Sequence, residues 1–274
     1  MKNMFLQGNI FFVGVCLLLF ILFGAFSVSA FYFGDTGLFD IPTAYIMSNG
    51  NFNFGADIAI QNEKRKSLVI GADFGLLNFA EISFKGIKKD NNDYLMSDIK
   101  IILSREEGIL PAFAIGVDNI GEGRGIPDYE LSYFAIISKR LNLPFIHILN
   151  THIGFGNRRY MSDESVGKYL HGIFFGLGKD IDLNYGDLHL QLIGEFKGND
   201  LNFGTKCMMK TGLMLNFALE GINHGFNKTY YHIAIGFTNT ELMKEIVQSI
   251  ELAKQAVRIA NETQSEKNTS NKKE

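Results

Sequence analysis

Charged residues recur at alternate positions inside otherwise apolar stretches of this 274-residue chain. Asp57, Asp73, Glu81, Lys85, Asp98, Lys100, Asp118, Arg140, Glu195, Lys197, Lys210 and Glu220 sit one step from a large apolar neighbour, and Lys206 sits beside Cys207 on the same face pattern. Acids and bases are mixed, so the set can do two kinds of chemistry. Opposite charges on neighbouring strands can brace one another, because an ion out of water needs a partner. The same charges can line a polar path that binds or passes a glycan or a small solute, with weak ion selectivity. Catalysis finds less support. His147, His152, His171, His189, His224 and His232 show no HExxH or comparable ligand spacing. No nucleophile elbow is present. Gly121-Glu122-Gly123-Arg124-Gly125 leads into no helix, which a phosphate cradle requires. No cofactor or metal is expected. A barrel enzyme acting on lipid or glycan is the least supported class.

Segments with two distinct faces must position these charges. In Leu188–Lys197, Leu188, Leu190, Leu192 and Phe196 fall on one side and His189, Gln191, Glu195 and Lys197 on the other. Side chains alternate across a strand, so a period of two builds one apolar and one polar wall. About twelve such segments are predicted, near 51–60, 66–75, 79–86, 96–104, 111–118, 130–140, 150–157, 168–178, 187–197, 201–210, 212–220 and 229–237. Lengths of eight to eleven residues suit tilted membrane strands. An even number lets the sheet close with both termini on one side. The expected fold is therefore all-β, an antiparallel transmembrane β-barrel of about 12 strands in the bacterial outer membrane, with its apolar wall toward lipid. A soluble sandwich has the same alternation. Phe134, Ile136, Leu170 and Phe174 break the pattern by pointing inward.

Four domains follow. Residues 1–30 read as a signal peptide, with Lys2, an apolar run from Ile10 to Phe26, and small residues Val28-Ser29-Ala30 for cleavage. An uncleaved anchor is the other reading of that run. Residues 31–237 form the barrel with a Gly/Pro-containing leading segment. Residues 238–260 form an amphipathic helix, opened by a Thr238/Glu241 capping box and striped by Leu242, Ile246, Ile250, Ala253, Val257 and Ala260. It is expected to dock on the barrel or to recruit a periplasmic partner. Residues 261–274 are polar and expected to be disordered. Long outward loops are expected at 86–95, 119–129 and 158–167, and a long inward turn at 141–148. The tyrosines near strand ends, Tyr45, Tyr94, Tyr129, Tyr133, Tyr160, Tyr169, Tyr230 and Tyr231, fit an interfacial girdle. A net charge of -3 offers no basic surface for nucleic acid. Cys207 reads as a structural thiol.

The stretch from Gly34 to Ala44, Gly-Asp-Thr-Gly-Leu-Phe-Asp-Ile-Pro-Thr-Ala, is followed by Ser48-Asn49-Gly50-Asn51-Phe52. Together they resemble the opening of the YjbH-like outer-membrane family, associated with bacterial exopolysaccharide loci. Phe74-Gly75-Leu76 before Glu81, Ile99-Lys100, Ala114-Ile115-Gly116-Val117, Ser138-Lys139-Arg140 and Glu195-Phe196-Lys197-Gly198 continue the likeness over about 34–237. Members are often longer, and many barrels end on an aromatic strand where this chain continues into a helix. The resemblance implies a barrel, an outer-membrane address with lipid as surroundings, and a role in export or surface presentation of polysaccharide. It brings no catalytic residues. A small-solute channel is the alternative. On physical grounds, within a motif that includes Gly37, Pro42, Thr43 and Ala44, Gly34 and Gly37 permit positive φ and Pro42 stiffens an extended entry into the first strand, a structural role.

Overall fold

The computed structural model describes residues 36–61, 65–89, 92–121, 129–144, 147–161, 172–183 and 188–270. The stretch 1–30 expected to be a signal peptide, Tyr169, Leu170 and the last four residues lie outside them. Twelve strands run β1 (Phe52–Gln61), β2 (Arg65–Leu76), β3 (Ala80–Lys89), β4 (Asn92–Ser104), β5 (Ala112–Gly121), β6 (Ser132–Leu143), β7 (His147–Gly156), β8 (Ile173–Leu183), β9 (Leu188–Lys197), β10 (Asp200–Met209), β11 (Leu213–Glu220) and β12 (Tyr230–Thr238). Each pairs antiparallel with its sequence neighbours, and β1 closes on β12 from Asn53↔Thr238 to Ile60↔Tyr231. Closure removes every sheet edge, so all ladder groups are satisfied without water.

The outer wall is apolar. Phe54, Ile70, Phe84, Ile153, Phe155, Phe175, Phe217 and Ile233 stand exposed around the circumference. Their neighbours along each strand turn inward and are buried, Asp57, Asp73, Lys85, Asp98 and Glu195 among them. A water-soluble protein would cover such a belt; a bilayer covers this one. The alternation of charge and apolar residue thus becomes a lipid face and a lumen face.

Several boundaries differ from expectation. Residues 86–95 make no long loop, because β3 and β4 stay paired out to Lys89↔Asn92. The inward turn at 141–148 is short as well, since β6 and β7 pair to Leu143↔His147. Of the apolar residues there, Leu141 keeps the lipid-side parity of Ile137, whereas Ile148, paired with Asn142, has the lumen parity of Asn150 and His152 and is exposed at the rim. Among the described residues the tyrosines form no continuous girdle. Tyr129 and Tyr160 are fully buried inside, Tyr94 and Tyr230 pack against the same cluster, and Tyr133 alone of them stands exposed beside a belt made mainly of phenylalanines.

The two rims differ. At one, β1 begins, β12 ends, and the links at 77–79, 105–111 and 210–212 are short. At the other lie the longer connections 122–131 and 157–172. Helix α1 (Thr240–Ser270) leaves the first rim. The Asn239 side chain fastens it there, accepting from the Phe52 N–H at 2.7 Å and donating to the Gly50 carbonyl at 3.1 Å. Lys210, expected in the lumen, sits in the β10–β11 turn and reaches Glu245 of the helix at 3.0 Å. The helix continues ten residues past the 238–260 span expected. Glu262, Gln264, Glu266 and Lys267 are good helix formers interspersed among poorer ones, so the loss of an apolar stripe does not by itself end the helix. The Glu241 side chain falls outside the described set; Thr238 Oγ1 instead accepts from the Thr240 N–H at 3.2 Å.

Candidate functional site: a hairpin held in the lumen

Residues 36–47 occupy the lumen, and Ser48, Asn49 and Gly50 turn at the rim, where Asn49 bonds to the β2–β3 turn. A tight reversal brings Gly37 against Pro42, with the Leu38 N–H donating to the Ile41 carbonyl at 3.0 Å. Pro42, just past the reversal, holds its own φ fixed and carries no N–H to satisfy. Within the hairpin, the Thr43 hydroxyl donates to the Thr36 carbonyl. The chain then runs back toward the helix-side rim and enters β1.

Wall charges grip this hairpin at tip and base. At the tip, the Glu195 carboxylate accepts the Phe39 and Asp40 N–H groups at 3.0 and 2.8 Å, and the Asn202 amide at 2.9 Å. Asp40 is clasped by Lys197 and by Arg159 at 2.6 Å. Arg159 also donates to the Asp40 carbonyl at 2.8 Å and stands 3.7 Å from Asp118. Asp118 in turn accepts from the Tyr160 hydroxyl. At the base, Glu81 accepts from the Thr36 hydroxyl at 2.7 Å and the Met47 N–H at 2.9 Å, and pairs with Lys100 at 3.2 Å. Lys100 also donates to Thr36 Oγ1 at 3.0 Å, and Lys206 to the Gly37 carbonyl at 2.6 Å. Ser138 Oγ takes the Ala44 N–H at 2.8 Å and pairs with His152 Nδ1 at 2.7 Å.

Apolar packing completes the fit. Leu38, Phe39 and Ile41 are at most 2% exposed and join one interior cluster with Phe134, Ile136, Tyr160 and Phe174. These include the residues that break alternation on β6 and β8; they point inward because a filled lumen offers them a core. Gly176 makes the room. A methyl group there would overlap Leu38 and press Ile41 at 2.8 Å.

The expected lumen charges are accordingly brought together in part. Glu81, Lys85, Asp98, Lys100, Asp118, Glu195 and Lys197 form the gripping network, with Lys85 and Asp98 paired at 2.9 Å. Asp73 is buried on the adjacent strand β2. Asp57 and Glu220 flank His232 at 3.3 and 2.9 Å as a separate group. His189 is exposed, and no cluster of three metal-ligating side chains occurs among the described residues. Arg140 stands exposed at the helix-side rim. The residues that sequence reasoning missed are Asp40 and Arg159, whose partners lie 119 residues apart along the chain. Gly37, Pro42, Thr43 and Ala44, expected as an extended entry into the first strand, instead fold into the hairpin, with Gly37 bridged to Pro42.

At that rim, Glu106 ties the hairpin's exit to the wall. It accepts from the Tyr45 hydroxyl at 2.7 Å and the Arg140 N–H at 3.1 Å, and meets Lys139 at 3.1 Å. Burial pushes the Glu106 carboxyl upward, but these three donors outweigh it and hold its pKa below the ordinary value. Tyr45 is pushed upward, first by burial and then by its bond to Glu106.

No known family model matches the chain, and no characterised protein sequence matches it. Solved structures do. A KdgM porin aligns over 68% of this chain and 98% of its own at 10% identity, with a TM-score of 0.46. A NanC porin aligns over 68% and 97% at 10% identity, TM-score 0.41. The β domain of the Bordetella autotransporter BrkA aligns over 68% and 97% at 12% identity, TM-score 0.32. The resemblance goes no further than barrel architecture.

Two outcomes are expected. Glu195→Leu strands two amide donors and the Asn202 amide, a loss of about 3–5 kcal/mol in the grip on the tip. Hydrogen exchange at residues 38–41 should accelerate by about a hundredfold while the strand amides keep their protection. Unchanged exchange at the tip would refute the grip. The Glu106 tie has a pH sign. Its pKa is lowered on folding, so its contribution is present above the ordinary value of 4.5 and fades as pH falls through the lower folded value. Melting curves of wild type and Glu106→Gln should therefore differ near neutrality and converge in acid.

Proposed function

We propose that this protein is a non-enzymatic bacterial outer-membrane barrel of the small-solute channel class, held closed by its own hairpin. The short-turn rim with the helix then faces the periplasm, and the long connections face outward, as in barrels of this class. One observation carries the reading: the lumen filling is attached by side chains, not by the sheet. Removing residues 36–44 from the interior breaks no strand pairing, because every ladder bond runs wall to wall. What would remain is a twelve-stranded ring with acidic and basic groups facing inward, wider than the eight strands that side chains just fill. A polar interior of mixed charge passes small hydrophilic solutes with little ion preference.

Gly176→Leu tests this directly, since the added side chain needs the space of Leu38 and Ile41. Wild-type protein in a planar bilayer should show rare or small openings, and the variant a sustained conductance. Both should retain a mobility shift between boiled and unboiled samples. A folded, heat-modifiable variant that stays silent would remove the channel reading.

The leading motif favours a second reading. The segment resembling exopolysaccharide-associated barrels is the hairpin that fills the lumen, so regulated passage or presentation of a surface glycan would use the same device. If deleting the gene left surface glycan unchanged where the protein is expressed, that reading would be lost and the channel reading would stand.

A further inference from the structure

The seam between hairpin and wall opens at the helix-side rim into a cavity of about 500 Å³, within the range of small-molecule sites. Tyr45 and Ile46 of the hairpin line it, with Ile102, Arg105, Glu106 and Arg140 of the wall. Its electrostatics are one-sided. Glu106 is its one lining acid, and its oxygens are taken up by Tyr45, by Lys139 and by the Arg140 backbone N–H. The Arg140 guanidinium is left 4.0 Å from that carboxylate, lying over the Tyr45 ring at 5.1 Å. Arg105 donates to the Asn78 carbonyl, and no carboxylate lies within ion-pair distance of it among the described residues. Glu107, on the same turn, does not line the cavity.

Two guanidinium groups with spare donors therefore face an open space whose acid is already occupied. Guanidinium forks match the planar oxygens of a carboxylate or phosphate and bind them in pairs. Ile46 and Ile102 supply an apolar wall for the body of such a molecule. We propose that this cavity is a binding site for a small oxyanion, a carboxylate- or phosphate-bearing solute, on the rim opposite the long loops. Because Tyr45 and Ile46 belong to the hairpin, an occupied site bridges hairpin and wall. The site stands on its own geometry whether or not the barrel conducts.

The test is calorimetric titration of the purified full chain in detergent at constant ionic strength, with citrate, inorganic phosphate and glucose as probes. Saturable binding of citrate or phosphate, but not glucose, is expected, and whichever anion binds tighter names the oxyanion. Arg105→Gln with Arg140→Gln should weaken it by about tenfold or more, the loss of a charge-assisted contact. Arg105→Lys with Arg140→Lys should recover part of the loss. Both arginines are exposed at the rim, and the boiled-versus-unboiled shift checks that the variants fold. Absence of saturable heat up to about 10 mM, or identical titrations for wild type and the double glutamine variant, would overturn the site. Either result is separable from conductance, which the Gly176→Leu measurement reads alone.

Discussion

A charge enclosed by a barrel wall keeps its ionised form only where another charge or a set of dipoles faces it, because leaving water unpaired costs several kcal/mol. Asp40 carries such a charge to the middle of the lumen. Around it the wall supplies Lys197 from β9 and Arg159 from the 3-10 turn after β7. Glu195, two residues before Lys197 and on the same face, cannot approach Asp40's carboxylate without penalty, so it meets the backbone N–H groups of Phe39 and Asp40 instead. One buried carboxylate thus dictates the polarity of at least three neighbours. The remaining wall charges extend the alternation of sign away from it, through Asp118 and toward Lys85 with Asp98 and Lys100 with Glu81.

The same constraint explains why the interior is neither an oil-filled core nor an open pore. Twelve strands enclose more volume than their own inward side chains fill. The hairpin supplies the missing apolar volume with Leu38, Phe39 and Ile41, and the wall meets it with Phe134, Ile136, Tyr160 and Phe174. Glycine at 176 lets the hairpin approach the wall closely. Packing therefore fixes the shape of the filling, while the charges fix its register: Glu81 at the base and Glu195 at the tip leave a single depth at which both are satisfied.

The wall was legible in the sequence because its rule is local. A residue's face follows from the parity of its position, and Leu188–Lys197 shows the rule within ten residues. The filling was not legible, because its rule is long-range. Nothing near Asp40 in the chain indicates that residue 159 or 197 will hold it, and Leu38, Phe39 and Ile41 read as ordinary loop residues beside a proline. One signal did point to it. Phe134, Ile136 and Phe174 occupy parities that belong to the lumen, and large apolar side chains there require something apolar to face. The end of the helix is hidden for a different reason: the apolar stripe stops at 260, while Glu262, Gln264, Glu266 and Lys267 still favour helix and the element runs on to Ser270.

Attachment by side chains alone also bears on how the filling can move. Each contact is a pair, and removing one member leaves the other buried and unpaired, so partial withdrawal of the tip is worse than either full seating or full release. A half-withdrawn Asp40 would abandon Lys197 and Arg159 and expose Glu195 to an unsatisfied lumen. Release is therefore expected to be cooperative rather than graded, with water entering as the hairpin leaves. The β ladder takes no part, since its hydrogen bonds close around the circumference and are indifferent to what lies inside. These interactions therefore favour an all-or-none attachment of the filling over a graded one.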